Sequence, residues 1–329
     1  MAFKAIWLTD PQEGIPATLR DVDLPPLSHY PITLRVLYSS LNYKDALAIS
    51  AKAPIVRQFP LIPGIDMVGE VIASEVEAWP VGKQVVVTGW GIGERHHGGL
   101  AEMFYAKEEW LEELPTTLLP SSAAAIGTAG LTAMLAVLEL EQQGITPEQG
   151  PIVVSGASGG VGSFSTWILA RLGFEVIAIS GDPTSAEYLT DILGAHSVLP
   201  RSEFSTPAKK LLPEQWAGAI DCVGSHTLAT ILAGARRNAC VVACGMAQGL
   251  DLTTSVAPFI LRGIRLVGID SVYCARRKRH QAWRRFASLL SEAPLPVSCQ
   301  TITLQQTIEF ADRLLTGEVR GRIIVKTAS

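Results

Sequence analysis

The sequence predicts an α/β protein of two domains, an irregular β-rich N-terminal part followed by a doubly wound parallel sheet. Three observations carry this expectation. The chain has 329 residues, enough for about two domains. Its composition, 48% hydrophobic against 18% charged, forms a core and excludes disorder for most of the chain. Its rhythm also changes between about residues 110 and 123, from short strands punctuated by Pro and Gly to alternating strand and helix.

In chain order, Ile32 to Leu37, Met67 to Ile72 and Gln84 to Val87 are β-branched runs bounded by turn residues, and helices are scarce there. The uncharged stretch Leu114 to Leu138 is long enough to span a bilayer. However, it contains Pro115, Pro120, Gly127 and Gly130 and is flanked by the acidic Glu113 and Glu139, so we expect a buried segment of a soluble protein. From residue 123 the apolar runs Ile152 to Val154, Val176 to Ile179, Ala219 to Val223, Val241 to Cys244 and Leu266 to Ile269 alternate with helical stretches. That alternation implies a parallel sheet covered on both faces. The tail carries candidate helices at Lys278 to Leu290 and Leu304 to Leu315 and a last strand, Arg322 to Lys326, which can return to the first domain. No internal repeat or low-complexity tract is visible.

Charge and cysteine usage narrow the function. Lys and Arg number 27 against 31 Asp and Glu, a net charge of −4, which argues against a broad electrostatic hold on nucleic acid or anionic membrane. The N-terminal segment has no secretory pattern, so a cytoplasmic address is expected. All five cysteines lie from Cys222 onward, without paired spacings, and read as reduced thiols. Cys240 and Cys244 stand in an apolar run and read as strand residues rather than a metal pair.

The sharpest motif is Ile152-Val153-Val154-Ser155-Gly156-Ala157-Ser158-Gly159-Gly160-Val161-Gly162, a strand feeding a glycine turn that opens a helix. Pyrophosphate binding needs this pattern. Small residues allow a tight turn and close backbone approach, and the exposed N–H groups at the helix start face the phosphate charge. At the end of the next strand, where NAD-binding folds carry an acid on the ribose, the chain reads Ser180-Gly181-Asp182. A hydroxyl and backbone amides tolerate a 2′-phosphate that a carboxylate would repel, so NADPH is expected. Asp182 falls in Asp-Pro-Thr-Ser and reads as a turn or N-cap residue within that same segment. Arg201, after the third apolar run, is either the positive partner of the 2′-phosphate or an ordinary exposed arginine.

The N-terminal half adds Ser40-Leu41-Asn42-Tyr43-Lys44-Asp45, Pro63-Gly64-Ile65-Asp66-Met67-Val68-Gly69-Glu70-Val71, Gly98-Gly99-Leu100-Ala101-Glu102 and Gly127-Thr128-Ala129-Gly130-Leu131-Thr132-Ala133. In order and spacing these resemble the medium-chain dehydrogenase/reductase superfamily along nearly the whole chain, its quinone oxidoreductase-like branch above all. Val87-Thr88-Gly89-Trp90-Gly91-Ile92-Gly93-Glu94, Ala219-Ile220-Asp221-Cys222-Val223-Gly224 and Pro258-Phe259-Ile260-Leu261-Arg262-Gly263 are similar to the YhdH/YhfP group, which includes NADPH-dependent acrylyl-CoA reductases. The resemblance implies a GroES-like β domain over 1–122, completed by 270–329, and a Rossmann domain over 123–269. It also implies a homodimer joined through the last Rossmann strand, about Leu266 to Ile269.

Zinc-dependent relatives carry a Cys before their Asp, use Gly-His-Glu where this chain has Gly64-Ile65-Asp66, and add a four-cysteine lobe. None of those ligands is present, so metal polarisation of a carbonyl is not expected. Hydride must then go to an acceptor that is already electron-poor, either an alkene conjugated with a thioester or ketone, or a quinone. The resemblance implies a small-molecule substrate, a short α,β-unsaturated acyl-CoA and foremost acrylyl-CoA reduced to propionyl-CoA, with a small quinone as the alternative acceptor. A non-enzymatic NADPH-binding redox sensor is a third reading.

Tyr43 is the candidate catalytic residue, its phenol either donating a proton or hydrogen bond or packing on the nicotinamide. Asn42, through tolerance of the left-handed region, and Asp45, through backbone hydrogen bonds, read as loop-fixing groups. Lys44 either helps an anionic substrate or is solvated. The resemblance places Thr128 at the nicotinamide, its hydroxyl alternatively capping a helical run, and assigns Met246, Ala247, Ile260 and Ser271 to NADPH; these join Ser158, Gly159, Gly160 and Val161 of the turn and Ser180, Gly181, Asp182 and Arg201. His96 and His97 read as loop residues of a segment that can line the substrate entrance. The cluster Arg276-Arg277-Lys278-Arg279-His280 with Arg284 and Arg285 suits a CoA phosphate but reads first as a solvated helix face.

Overall fold

A computed structural model describes residues 2–24, 29–206, 209–292 and 294–327. The chain divides into two compact units, Met1–Thr128 with Ala287–Ser329, and Ala129–Phe286.

The first unit holds strands β1 (Phe3–Leu8), β2 (Ala17–Val22) and β3 (Ile32–Leu41), helix α1 (Tyr43–Ile49), then β4 (Asp66–Ser74), β5 (Gln84–Thr88), β6 (Met103–Ala106) and β7 (Leu111–Glu113). Helix α2 (Pro120–Gln142) begins in this unit and continues into the second. It is long and apolar enough to cross a membrane by length and composition, and 89% of its most apolar window is buried inside the protein. At Gly127 the backbone leaves the helix (φ 42°, ψ −149°) and the helix restarts. The burial of β3, β4 and β5 follows from their Ile, Leu and Val content, and one core gathers Ile32, Leu34, Val36, Val71, Val85, Val87 and Trp110.

The second unit holds β8 (Ile152–Ser155), α3 (Gly160–Arg171), β9 (Val176–Ser180), β10 (Ser197–Pro200), β11 (Trp216–Asp221), α4 (Ser225–Gly234), β12 (Ala235–Ala243), α5 (Ala257–Arg262), β13 (Arg265–Gly268) and α6 (Arg276–Glu292). The six strands run parallel in the order β10-β9-β8-β11-β12-β13. This is the Rossmann order, with its reversal beside β8. Residues 152–155 are wholly buried, as a strand covered on both faces requires.

The end of the chain adds β14 (Cys299–Thr303), α7 (Thr307–Leu315) and β15 (Arg322–Lys326). β15 pairs antiparallel with β3, Ile324 opposite Ser40, and parallel with β14, so the tail extends the first sheet to the order β14-β15-β3-β4-β5-β7. A second core, with Ile6, Leu41, Ile49, Phe310, Ile323 and Val325, fastens the tail to α1.

Two element readings change. The strand expected at Val241 to Cys244 starts at Ala235, hidden in the sequence by Arg236, Arg237 and Asn238; the pairing slips between Trp216 and Gly218, and Asn238 takes φ 64°. The helix expected from Leu304 opens with a 3-10 turn, Leu304–Gln306, and α7 begins at Thr307.

Candidate active site

In the first unit one buried cluster holds the segments that carry Tyr43 and Thr128. Arg322 and Asp66 are 4% and 2% exposed, and their charged groups stand 4.0 Å apart. The Arg322 guanidinium donates from Nε to the Ala125 carbonyl (2.8 Å), from Nη1 to Asn42 Oδ1 (2.9 Å) and from Nη2 to Ser40 Oγ (2.7 Å). The Asp66 carboxylate accepts from the Thr128 backbone N–H (2.6 Å), from Asn42 Nδ2 (3.2 Å) and from the Ser40 hydroxyl.

The local reason is the break at Gly127. A helix that restarts there leaves N–H groups without partners, and Asp66 takes that of Thr128 as a charge-assisted cap. A Cβ on Gly127 would stand 2.5 Å from Asp66 Oδ2, so only glycine fits. Burial lowers the pKa of Arg322, and the Asp66 charge leads the groups that resist this.

Asp45 completes the cluster. Its Oδ1 accepts from the Gly64 and Ile65 N–H groups, and its Oδ2 from the backbone and side-chain N–H groups of Asn42. Asp45 therefore fixes its loop through backbone hydrogen bonds, as read. Asn42 does so differently: it is extended (φ −103°, ψ 163°) rather than left-handed, and it acts through its amide, gripped by Arg322, Asp66 and Asp45. Burial and the nearby Asp66 push the Asp45 carboxyl up to about 7, against the hydrogen bonds from Asn42 and Ile65. Tyr43, the first residue of α1, is half exposed.

A catalytic zinc does not fit these residues. Asp66 is already satisfied by three donors beside a buried guanidinium, which would repel a dication, and every cysteine lies at or after Cys222. Among the described residues no group of three His, Cys, Asp or Glu is gathered for a metal.

In the second unit the glycine turn forms the cradle its pattern predicts. Gly156 has φ 59°, and a Cβ on Gly162 would stand 2.2 Å from the Gly156 carbonyl, so α3 packs directly on the turn. Gly159 caps α3, and Gly160 and Val161 form its first turn, with N–H groups available to an anion. Asp221 buttresses the cradle, accepting from Ser155 Oγ (2.6 Å) and the Gly224 N–H (2.8 Å). Burial raises its pKa against those two bonds and a third from the Val223 N–H.

At the end of β9, Ser180 lies beside Ser158 (Oγ to Oγ 3.3 Å). A Cβ on Gly181 would fall 2.6 Å from the Arg201 guanidinium carbon, so the arginine lies over a glycine that makes room for it. The Asp182 carboxylate accepts from the Thr184 N–H (2.9 Å) and hydroxyl (2.7 Å), as an N-cap. Ser158, Ser180, Gly181 and Arg201 are thereby brought together.

The remaining assigned residues are more dispersed. Met246, Ala247 and Ile260 are exposed, and Ser271 accepts from the Thr132 hydroxyl (2.9 Å) on α2. The basic cluster is not uniformly solvated. Arg279 is wholly buried and donates to the Ser271 and Val272 carbonyls (3.2 Å each), while Lys278 and Arg285 face Glu139 and Glu141. Cys244 lies just past β12, its sulfur 3.8 Å from that of Cys222, and all five cysteines are free thiols.

Sequence reasoning missed the Asp66–Arg322 pair, whose members are 256 positions apart. The signal was two charged residues at strand ends otherwise made of buried apolar residues.

A GroES-like β unit joined to a Rossmann unit with a glycine cradle defines the class, a pyridine-dinucleotide-dependent dehydrogenase or reductase. Comparison with known proteins agrees. Residues 29–116 match the alcohol dehydrogenase GroES-like domain and residues 160–292 the zinc-binding dehydrogenase family. The chain is 43% identical to acrylyl-CoA reductase AcuI of Ruegeria pomeroyi, over 94% of each. It also superposes on the YhdH oxidoreductase of Salmonella enterica in complex with NADP (TM-score 0.92, 45% identity, 99% of this chain and 100% of that one). The third likeness is to Bacillus subtilis YhfP with NAD bound (TM-score 0.94, 36% identity, 99% of each). The chain belongs to the medium-chain dehydrogenase/reductase superfamily, in the group that holds AcuI, YhdH and YhfP.

Proposed function

We propose that the protein reduces the carbon–carbon double bond of acrylyl-CoA to propionyl-CoA, with NADPH as the reductant and without a metal. The observation that carries this reading is the likeness to acrylyl-CoA reductase across both units. The cofactor supplies hydride, delivered to the β carbon of the thioester.

The chain's own residues do the rest. Gly160 and Val161 present N–H groups to the pyrophosphate, with Ser158 and Gly159, whose own N–H closes the turn on the Gly156 carbonyl, alongside. Arg201, over Gly181 and next to Ser180, faces the 2′-phosphate with a planar, permanently charged group. Asp182, held in its cap, shapes the same turn. Met246, Ala247, Ile260 and Ser271 border the cofactor, with Ser271 fixed by Thr132 and Arg279.

Addition at the β carbon leaves negative charge on the thioester oxygen, and that charge needs an oriented donor. The phenol of Tyr43, at the exposed start of a helix anchored by buried Asn42 and Asp45, donates to that oxygen or passes the proton to the α carbon. Thr128, held through its backbone by Asp66, contacts the nicotinamide.

A cytoplasmic setting suits the five thiols. Among the described residues β13 is the last strand of its sheet, Ile260 and Leu261 of the helix before it are exposed, and this edge fits pairing with the same strand of a second copy.

The test follows NADPH absorbance with acrylyl-CoA, a small quinone and free acrylate, and with NADH as the cofactor control. Preferential turnover of the thioester with NADPH is expected. Turnover of the quinone alone would replace this reading with a quinone reductase, and NADPH binding without any turnover would replace it with a sensor.

A further inference from the structure

Outside the buried Asp66–Arg322 cluster, the first unit gathers three cations on one carboxylate. Glu94 is only 14% exposed at its side chain, and it pairs with Lys44 Nζ while standing 3.7 Å from both Arg57 Nε and Arg95 Nε. Arg57 and Arg95 are more than half exposed. One carboxylate neutralises one of the three, so the group keeps an excess of positive charge in a protein whose net charge is −4.

The arrangement is stiff. Gly89, Trp90, Gly91 and Gly93 all have positive φ, and Gly93 is packed so closely on Gly64 that a Cβ there would meet its nitrogen at 2.9 Å. The Arg95 and His96 N–H groups both donate to the Gly91 carbonyl, and the Arg57 N–H donates to the Glu94 carbonyl (3.0 Å). Glu94 thus ties two loops and α1 together, and the backbone that carries Arg57 and Arg95 is fixed before any ligand arrives, which lowers the ordering cost of binding.

We propose that Lys44, Arg57 and Arg95, gathered on Glu94, receive the phosphate groups of the CoA portion of the substrate. The inference rests on the thioester reading above and names the part of the substrate this site recognises. Arginine forks match phosphate oxygens in pairs, and CoA carries both a diphosphate and a 3′-phosphate. Lys44 directly follows Tyr43 at the start of α1, and the pantetheine arm of CoA has to span from the cations to the residue assigned to the acyl end. The phosphates of NADPH have their own cradle in the second unit, at the glycine turn and Arg201. The basic helix α6 is a weaker candidate, because Arg279 is buried against carbonyls and Lys278 and Arg285 each face an acid of their own.

The experiment measures binding of CoA, 3′-dephospho-CoA and pantetheine to the NADP-loaded protein by calorimetry at low and moderate salt. It then measures the ratio of kcat/KM for acrylyl-CoA over acrylyl-pantetheine. The proteins are wild type, the double variant Arg57→Gln/Arg95→Gln and the double variant Arg57→Lys/Arg95→Lys. CoA should bind at least about tenfold more tightly than pantetheine, with an advantage that shrinks in salt. Both that advantage and the kinetic ratio should fall about tenfold in the glutamine variant and largely survive in the lysine variant. Equal binding of CoA and pantetheine by wild type, or an advantage unchanged in the glutamine variant, would overturn the proposal even if acrylyl-CoA is reduced. CoA held through the arginines with no thioester reduced would instead overturn the reductase reading alone.

Discussion

Arg201 and Tyr43 carry the most direct consequences at the scale of single residues. Arg201 lies over Gly181, where no side chain competes for the space, and Asp182 is turned to Thr184. Replacing Arg201 with Ala should raise the KM for NADPH by roughly ten- to a hundredfold, from the loss of a charge-assisted phosphate contact. The KM for NADH should barely move, and initial-rate measurements with both cofactors check the difference. Tyr43→Phe removes the phenol and keeps the ring. A proton or hydrogen-bond donor predicts a fall in kcat of about a hundredfold with NADPH affinity retained. A side chain that only packs on the ring predicts no fall, and stopped-flow reduction with parallel fluorescence titration separates the two.

At the scale of elements, the interrupted helix and the loop before α1 share one buried polar network, and polar networks in a low-dielectric interior are costly when a member is lost. Gly127→Ala places a methyl group against the Asp66 carboxylate at a positive φ. It should cost more than about 1 kcal/mol of stability and lower kcat by displacing Thr128, as urea denaturation and steady-state rates would show.

The same network gives a pH dependence. Asp45 titrates near 7 in the folded protein, against 3.8 for an unperturbed aspartate. The folded state therefore holds a proton the unfolded chain has released. Its stabilising contribution, on the order of 4 kcal/mol, is complete below about pH 4 and is lost as pH rises through about 7. Wild-type denaturation midpoints should fall more between pH 5 and 8 than those of Asp45→Asn. Parallel pH profiles for the two proteins would refute the assignment. The variant should also be less stable overall, because its amide turns an N–H₂ toward donors that now meet Oδ2.

At the scale of the whole molecule, an open parallel edge is the feature that calls for a partner. β13 has Leu266 and Val267 half-buried, while Ile260 and Leu261 on the preceding helix lie more than half exposed. Joining two copies through this edge satisfies unpaired strand groups and covers apolar surface together. Light scattering on the purified protein should give about twice the chain mass of 35.2 kDa. A charged substitution such as Val267→Lys should shift it towards the monomer, and a wild-type monomer at micromolar concentration would refute the edge pairing.

Local chemistry determined what the sequence alone revealed. The alternating apolar runs specify a parallel sheet, the spacing of Gly156, Gly159 and Gly162 specifies a phosphate turn, and Ser180 in place of an acid points to NADPH, because each signal depends on neighbouring residues. The start of β12 escaped because Arg236 and Arg237 sit at a bulge. The left-handed reading of Asn42 failed because three buried side chains, not its own turn, determine its conformation. Only the tertiary structure decided that Arg322 returns from the end of the chain to Asp66, that Arg201 lies over Gly181, that Arg279 is buried and that Glu94 gathers three cations. Each of these depends on distant segments meeting where burial makes an unpaired charge expensive, and no local pattern in the chain encodes that.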